Sequence, residues 1–157
     1  MGEIAAGAGV GRATLYRHYP TRKALLTALA EQAVEEVATR IADAGLDRVS
    51  VPEALERLAR AVVSVGDRYT ILVRERVKPH HDEDKRRLTD PMRAVFERGV
   101  ADGTLRSDLS ADSQLQLFAS AVTGALNAGL QRELGVEQAA ATVISYFLDG
   151  ASRPDPK

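Results

Sequence analysis

The chain has no cysteine, so it can form no disulfide framework, no thiolate metal site and no thiol nucleophile. Tryptophan is absent as well, and four tyrosines and three phenylalanines bring the aromatic share to only 4%. So sparse a set argues against a pocket built from stacked flat rings. No apolar run approaches the roughly 20 residues of a membrane-spanning helix, and the N-terminus lacks the charged and apolar pattern of a secretory signal. A cytoplasmic protein with no membrane partner is therefore expected. Period-two alternation of useful length is missing throughout, which leaves no strand for a sheet to use or for a glycine-rich phosphate loop to follow. With no nucleophile–base pair and no metal-ligand spacing, the sequence predicts neither an enzyme nor a cofactor nor a bound metal. The run His80-His81-Asp82-Glu83-Asp84 is dense in potential ligands. Adjacent histidines project in different directions, however, and the run follows Pro79 where a helix ends, so a solvated loop is expected.

What is present is an ordinary globular composition. The chain has 157 residues, 45% of them hydrophobic and 27% charged, enough for one domain or for a small head and a mid-sized body. Its net charge of −1 is unevenly placed. Through residue 25, Arg12, Arg17, Arg22 and Lys23 face a single acid, Glu3, whereas the remaining residues hold 17 basic and 21 acidic groups. Positive charge is thus concentrated at one end, and an acidic body is screened from that end beyond a Debye length of about 8 Å.

The same end carries the most specific pattern. Ile4, Ala5 and Ala8 read as a short helix stopped by Gly9, which can adopt the left-handed conformation that turns a chain at a helix end. Val10 is expected to plug the corner, and Ala5 to be small enough for two helices to cross. A second helix follows with Leu15 inward and Arg12, Ala13, Thr14, Tyr16, Arg17 and His18 on the remaining surface. This is a helix-turn-helix, whose second helix enters the major groove with its N-terminal residues toward base edges.

The segment resembles the DNA-binding head of the TetR family of bacterial transcriptional regulators. Ile4-Ala5 with Ala8-Gly9-Val10 is similar to that family's second helix and turn, and Thr14-Leu15-Tyr16-Arg17-His18-Tyr19 to its recognition helix. Pro20-Thr21-Arg22-Lys23-Ala24-Leu25-Leu26 resembles the break and the start of the long helix that follows. The likeness is tight over about the first thirty residues and elsewhere extends only to an all-helical pattern. It implies a homodimer that binds double-stranded operator DNA and responds to a small-molecule effector, most often as a repressor on a palindromic site. By this resemblance Arg12, Ala13, Thr14, Tyr16, Arg17, His18 and Lys23 face DNA. Arg12 is the candidate for gripping guanine with two hydrogen bonds, and Tyr16 and Lys23 for holding phosphate. Members of the family carry a further helix ahead of the segment that here begins at Met1. Its absence is expected to leave Ile4, Val10, Leu15, Leu25 and Leu29 with one wall of their core missing. The alternative reading is a dimeric small-molecule sensor that does not bind DNA.

The rest of the chain divides by its caps. Thr21 opens a long helix with apolar residues at spacings of three and four as far as about Ala44, ended by Gly45. We read residues 1–44 as the head with its connecting helix, and 45–157 as a helical body for effector binding and dimerisation. Ser50 and Pro52 start the next helix, a short one is expected from Tyr69 to Lys78, and Thr89 or Asp90 with Pro91 is expected to start another. Ser110 should cap a helix running to about Glu133, and the last helix follows Gly135. The fold class is all-α, with about eight helices. Leu115, Phe118, Val122, Ala125 and Gly129 fall on one face of the Ser110 helix, and Leu117, Ala121, Gly124 and Ala128 on its neighbour. A helix apolar over more than half its circumference needs cover on two sides. A symmetric partner seated on Leu115, Phe118, Val122, Ala125, Gly129, Val143 and Phe147 is therefore expected. Tyr69, Arg74, Met92, Phe96, Phe118, Asn127 and Gln131 are the candidate walls of an effector site within the body.

Overall fold

Capping chemistry sets the helix boundaries. The computed structural model describes residues 1–66 and 82–151, the side chains of 82–85 and 151 excepted, and every regular element among them is helical. Helix α1, Gly2–Gly7, ends in a turn at Gly9, whose φ of +67° is in the left-handed region, and the Val10 N–H donates to the Ala5 carbonyl at 3.0 Å. Helix α2, Arg12–His18, follows from Gly11. The Thr21 hydroxyl accepts the Ala24 N–H at 3.0 Å and opens α3, an unbroken helix over Arg22–Asp43. A left-handed Gly45 and a single 3₁₀ turn, Leu46–Arg48, lead to α4, Val51–Val65, capped by Ser50 with Pro52 in its first turn. Beyond residues 67–81 come α5, Asp82–Ala101; α6, Ala111–Ala128, capped by Ser110; α7, Leu130–Leu134; and α8, Val136–Ala151.

Helix α3 runs from the head into the body core. Leu25 is buried near its start, while Ala30, Ala33, Val34, Val37 and Ile41 join the large body cluster. In that cluster α3 lies against α4 and α5, α5 against α6, and α8 against both α4 and α6. Leu55, Leu58, Phe96 and Phe118 are wholly buried, each contributing roughly 1.5–3 kcal/mol by leaving water. All three phenylalanines of the chain, Phe96, Phe118 and Phe147, meet edge to face with ring centroids 5.4–6.1 Å apart. Gly99 is required by packing: a Cβ there would lie 2.6 Å from Leu105 Cδ1. Arg98 donates to the carbonyls of Leu46 and Val49 at 2.9 and 3.0 Å, tying the far end of α5 to the connection between α3 and α4.

Three expectations change. The helix read as starting at Thr89 or Asp90 begins at Asp82 and runs through Pro91, since a proline within a helix costs one hydrogen bond without forbidding continuation. The helix expected to reach Glu133 stops at Ala128, where Gly129 takes φ +78° and its N–H closes on the Ala125 and Leu126 carbonyls. Val10, expected to plug the head's corner, is 42% exposed: the turn positions its backbone, and neither α1 nor α2 covers its side chain. A fourth changes in part: of the run from His80 to Asp84, expected as a loop, Asp82, Glu83 and Asp84 form the first turn of α5, while His80, His81 and the short helix expected from Tyr69 to Lys78 lie outside the described residues.

Candidate nucleic-acid interface

The head is a two-helix corner with almost everything turned outward. Ala5 and Leu15 are buried, at 1% and 8% exposure, and they hold α1 against α2. Arg12, Ala13, Thr14, Tyr16, Arg17 and His18 are all exposed on α2, with Tyr16 at 48%. Seven helical residues span roughly 10 Å, a length that suits a major groove about 12 Å wide. No acid interrupts the first turn of α2, and Arg17 and His18 occupy its last. Tyr19 is half-buried, its ring 6.4 Å from that of His18. Lys23 is exposed in the first turn of α3, where the positive end of the helix dipole favours an anion. The six α2 side chains and Lys23 are thus all accessible to solvent at this end of the chain. Arg12 holds a position the sequence did not signal: its guanidinium lies over the first turn of α1, about 3.0 Å from where a Cβ on Gly2 would be. Only the glycine at residue 2 marks that close approach.

The candidate effector residues are less unified. Met92, Phe96 and Phe118 are buried together around the aromatic cluster. Asn127 is exposed on α6, Gln131 is half-buried on α7, and Tyr69 and Arg74 lie outside the described residues. A cleft of about 400 Å³ opens between α3, the 3₁₀ turn and α5, lined by Ile41, Leu46, Pro91, Val95 and Arg98 among others.

The residues expected at a partner surface are largely used within the chain. Phe118, Val122 and Val143 are buried, while Leu115, Ala125 and Phe147 pack against the same core from partly buried positions and Gly129 closes α6. The neighbouring stripe is the open one: Leu117 is 55% and Tyr146 82% exposed, and Ala121, Gly124 and Ala128 are exposed beside them. A groove of about 280 Å³ runs between α6 and α8 along Leu117, Ala121 and Tyr146. Among the described residues no helix is long and apolar enough to cross a membrane.

The profile of the bacterial regulatory proteins of the tetR family matches residues 1–29, the part of the chain that forms this corner and the start of α3. The HTH-type transcriptional regulator NfxB of Pseudomonas aeruginosa is 32% identical over 158 residues, covering 97% of this chain and 84% of NfxB. The HTH-type transcriptional repressor LfrR of Mycolicibacterium smegmatis is 39% identical over 66 residues, covering 42% of this chain and 35% of LfrR. The crystal structure of the TetR-like regulator LfrR from Mycobacterium smegmatis in complex with proflavine shares the fold, with a TM-score of 0.71, 22% identity and coverage of 95% of this chain and 84% of that one. The fatty acid degradation regulator FadR from Bacillus halodurans shares it at a TM-score of 0.62 and 14% identity, over 94% of this chain and 86% of that one. The chain belongs to the TetR family of bacterial regulatory proteins and is a DNA-binding transcriptional regulator of the helix-turn-helix type.

Proposed function

We propose that the protein acts as a homodimeric, ligand-responsive repressor of a palindromic operator, with α2 as its reading helix. The observation that carries this reading is the conjunction of an outward-facing α2 with an unbroken α3 that leaves the head and ends inside the body core. In the dimer the open stripe of Leu117, Ala121, Gly124, Ala128 and Tyr146 meets its own symmetry mate, and two α2 helices then enter successive major grooves roughly 34 Å apart. Arg12 reads a base edge, Ala13 and the Thr14 methyl touch thymine methyls or sugar, and Tyr16, Arg17, His18 and Lys23 hold phosphate. An effector among the body helices lowers operator occupancy tenfold if it favours misplaced heads by about 1.4 kcal/mol. LfrR was crystallised with proflavine, which makes a planar cation the first ligand to try.

Selection of random duplex DNA on the full chain tests this directly. It should enrich a two-fold-symmetric site, which Arg12→Ala binds about 1–3 kcal/mol more weakly with relaxed preference at one base position, whereas Lys23→Ala weakens all sequences alike. Absence of any enriched sequence would favour the sensor that does not bind DNA.

A further inference from the structure

Among the described residues Gln114 is the only fully buried polar side chain, 1% exposed near the start of α6. Its Nε2 donates to the carbonyls of Arg106 at 2.8 Å and Leu109 at 3.1 Å, which uses both amide hydrogens and pins the loop before α6. Those bonds also fix which end of the amide is nitrogen, since an oxygen in its place would face two carbonyl oxygens. Oε1 is left buried and without a hydrogen-bond partner. The loop tie accounts for the nitrogen; nothing within the chain uses the oxygen, and a buried acceptor left unpaired is costly.

The same residue lines the groove of about 280 Å³ between α6 and α8. Gln114, Leu117 and Ala121 follow one another at spacings of three and four, so they share a face of α6, and Leu109, Tyr146 and Phe147 extend the walls. Arg106 is the only charged residue lining the groove, and its guanidinium is spent, donating to Asp108 Oδ1 at 2.6 Å and to the Gly150 carbonyl at 3.2 Å. An ion entering here would shed water and gain no counter-charge, whereas an apolar molecule gains the walls. We propose that the groove binds a small, neutral, mostly apolar molecule whose single N–H or O–H donates to Gln114 Oε1. None of the candidate effector residues lines it, so this site is separate from the effector of the functional reading. It lies on the stripe assigned above to the symmetry mate, and in that dimer the partner copy roofs it. Every wall residue comes from one chain, so the site does not depend on the dimer.

Indole, with one N–H, and benzothiophene, of nearly the same shape without it, are the probes. Titrated into the isotope-labelled full chain, indole should give saturable nuclear magnetic resonance shifts at the Gln114 side-chain amide and at the backbone amides of Leu109, Leu117, Ala121 and Phe147. Ala121→Phe, which fills the groove from an exposed position, should abolish the shifts with both probes. In Gln114→Met the ratio of indole to benzothiophene affinity should fall roughly fivefold or more, because the donor has lost its acceptor. The wild type carries the same test without that variant: a bond to Oε1 moves the Nε2 protons downfield with indole and not with benzothiophene. Absence of saturable shifts with indole, shifts that persist in Ala121→Phe, or Nε2 protons that respond alike to both probes overturn the proposal. Light scattering on the same sample keeps the two readings apart. A monomer removes the dimer and leaves this site, and a dimer that ignores indole removes the site and leaves the dimer.

Discussion

The head and the body solve opposite problems. The body turns its large side chains on one another, with Leu55, Leu58, Phe96 and Phe118 wholly buried and all three phenylalanines in mutual contact. In α1 and α2 only Ala5 and Leu15 are buried, while Arg12, Tyr16, Arg17 and His18 face outward. A surface kept free for a polymer ligand cannot also serve as core, so α1 and α2 have few side chains with which to hold themselves together. The one element common to both is α3, buried at Leu25 in the head and from Ala30 to Ile41 in the body.

The comparison breaks most easily in the body. Phe118→Ala removes the ring that touches both other phenylalanines and should cost about 3–5 kcal/mol of stability in chemical denaturation. A loss below about 1 kcal/mol would mean the cluster is not the centre of the core. Leu117→Glu with Ala121→Glu, by contrast, should leave the folded monomer stable and abolish the proposed dimer, because in it the new charges would be buried unpaired at several kcal/mol. Light scattering that finds these chains still dimeric would place the partner on another face. Gly99→Ala should destabilise by about 1–3 kcal/mol, since Leu105 and Val51 must move to admit the new methyl; thermal unfolding checks it. Thr21→Ala should cost about 1 kcal/mol through loss of the cap on α3, and its effect should appear as faster amide exchange in the first turn of α3.

The smallest effect concerns pH. Hydrogen bonding to Arg87 holds the Glu35 carboxylate below its ordinary range, and Arg106 does the same to Asp108. For a carboxylate depressed in the folded state, stability is present above the unfolded pKa and is lost as pH falls through the folded one. Unfolding midpoints should therefore be flat near neutrality and decline only below the ordinary carboxylate range. Both pairs are exposed, so the decline assignable to either one should be slight; a Glu35→Gln chain slightly less stable than the wild type at neutral pH and converging with it in acid would fit this account.

How much of this was legible beforehand differed between the two regions. The head was readable because its rules are local: Gly9 turns, Thr21 caps, Leu15 alone faces inward, and each depends on a few adjacent residues. Ser50 and Ser110 were equally plain as caps. The body was harder because its decisive facts are long-range. Pro91 reads as a helix start, and nothing in its immediate neighbourhood of sequence signals that α5 extends back through it to Asp82. The stripe of Phe118 and Val122 and the stripe of Leu117 and Ala121 are adjacent on one helix and similar in composition. Which of them turns inward is decided by Phe96 and Phe147 on other helices, and periodicity within α6 carries no information about that.

Amide hydrogen exchange on the full chain, with and without a selected operator duplex, puts the contrast to its most direct test. Free, α1 and α2 should exchange far faster than α4 and α6, because a core of two buried side chains opens at little cost. With operator, protection should rise across α2 and the first turn of α3 and leave the interiors of α4 and α6 unchanged. Protection that rises in the body while α2 stays as it was would contradict the assignment of DNA binding to the head.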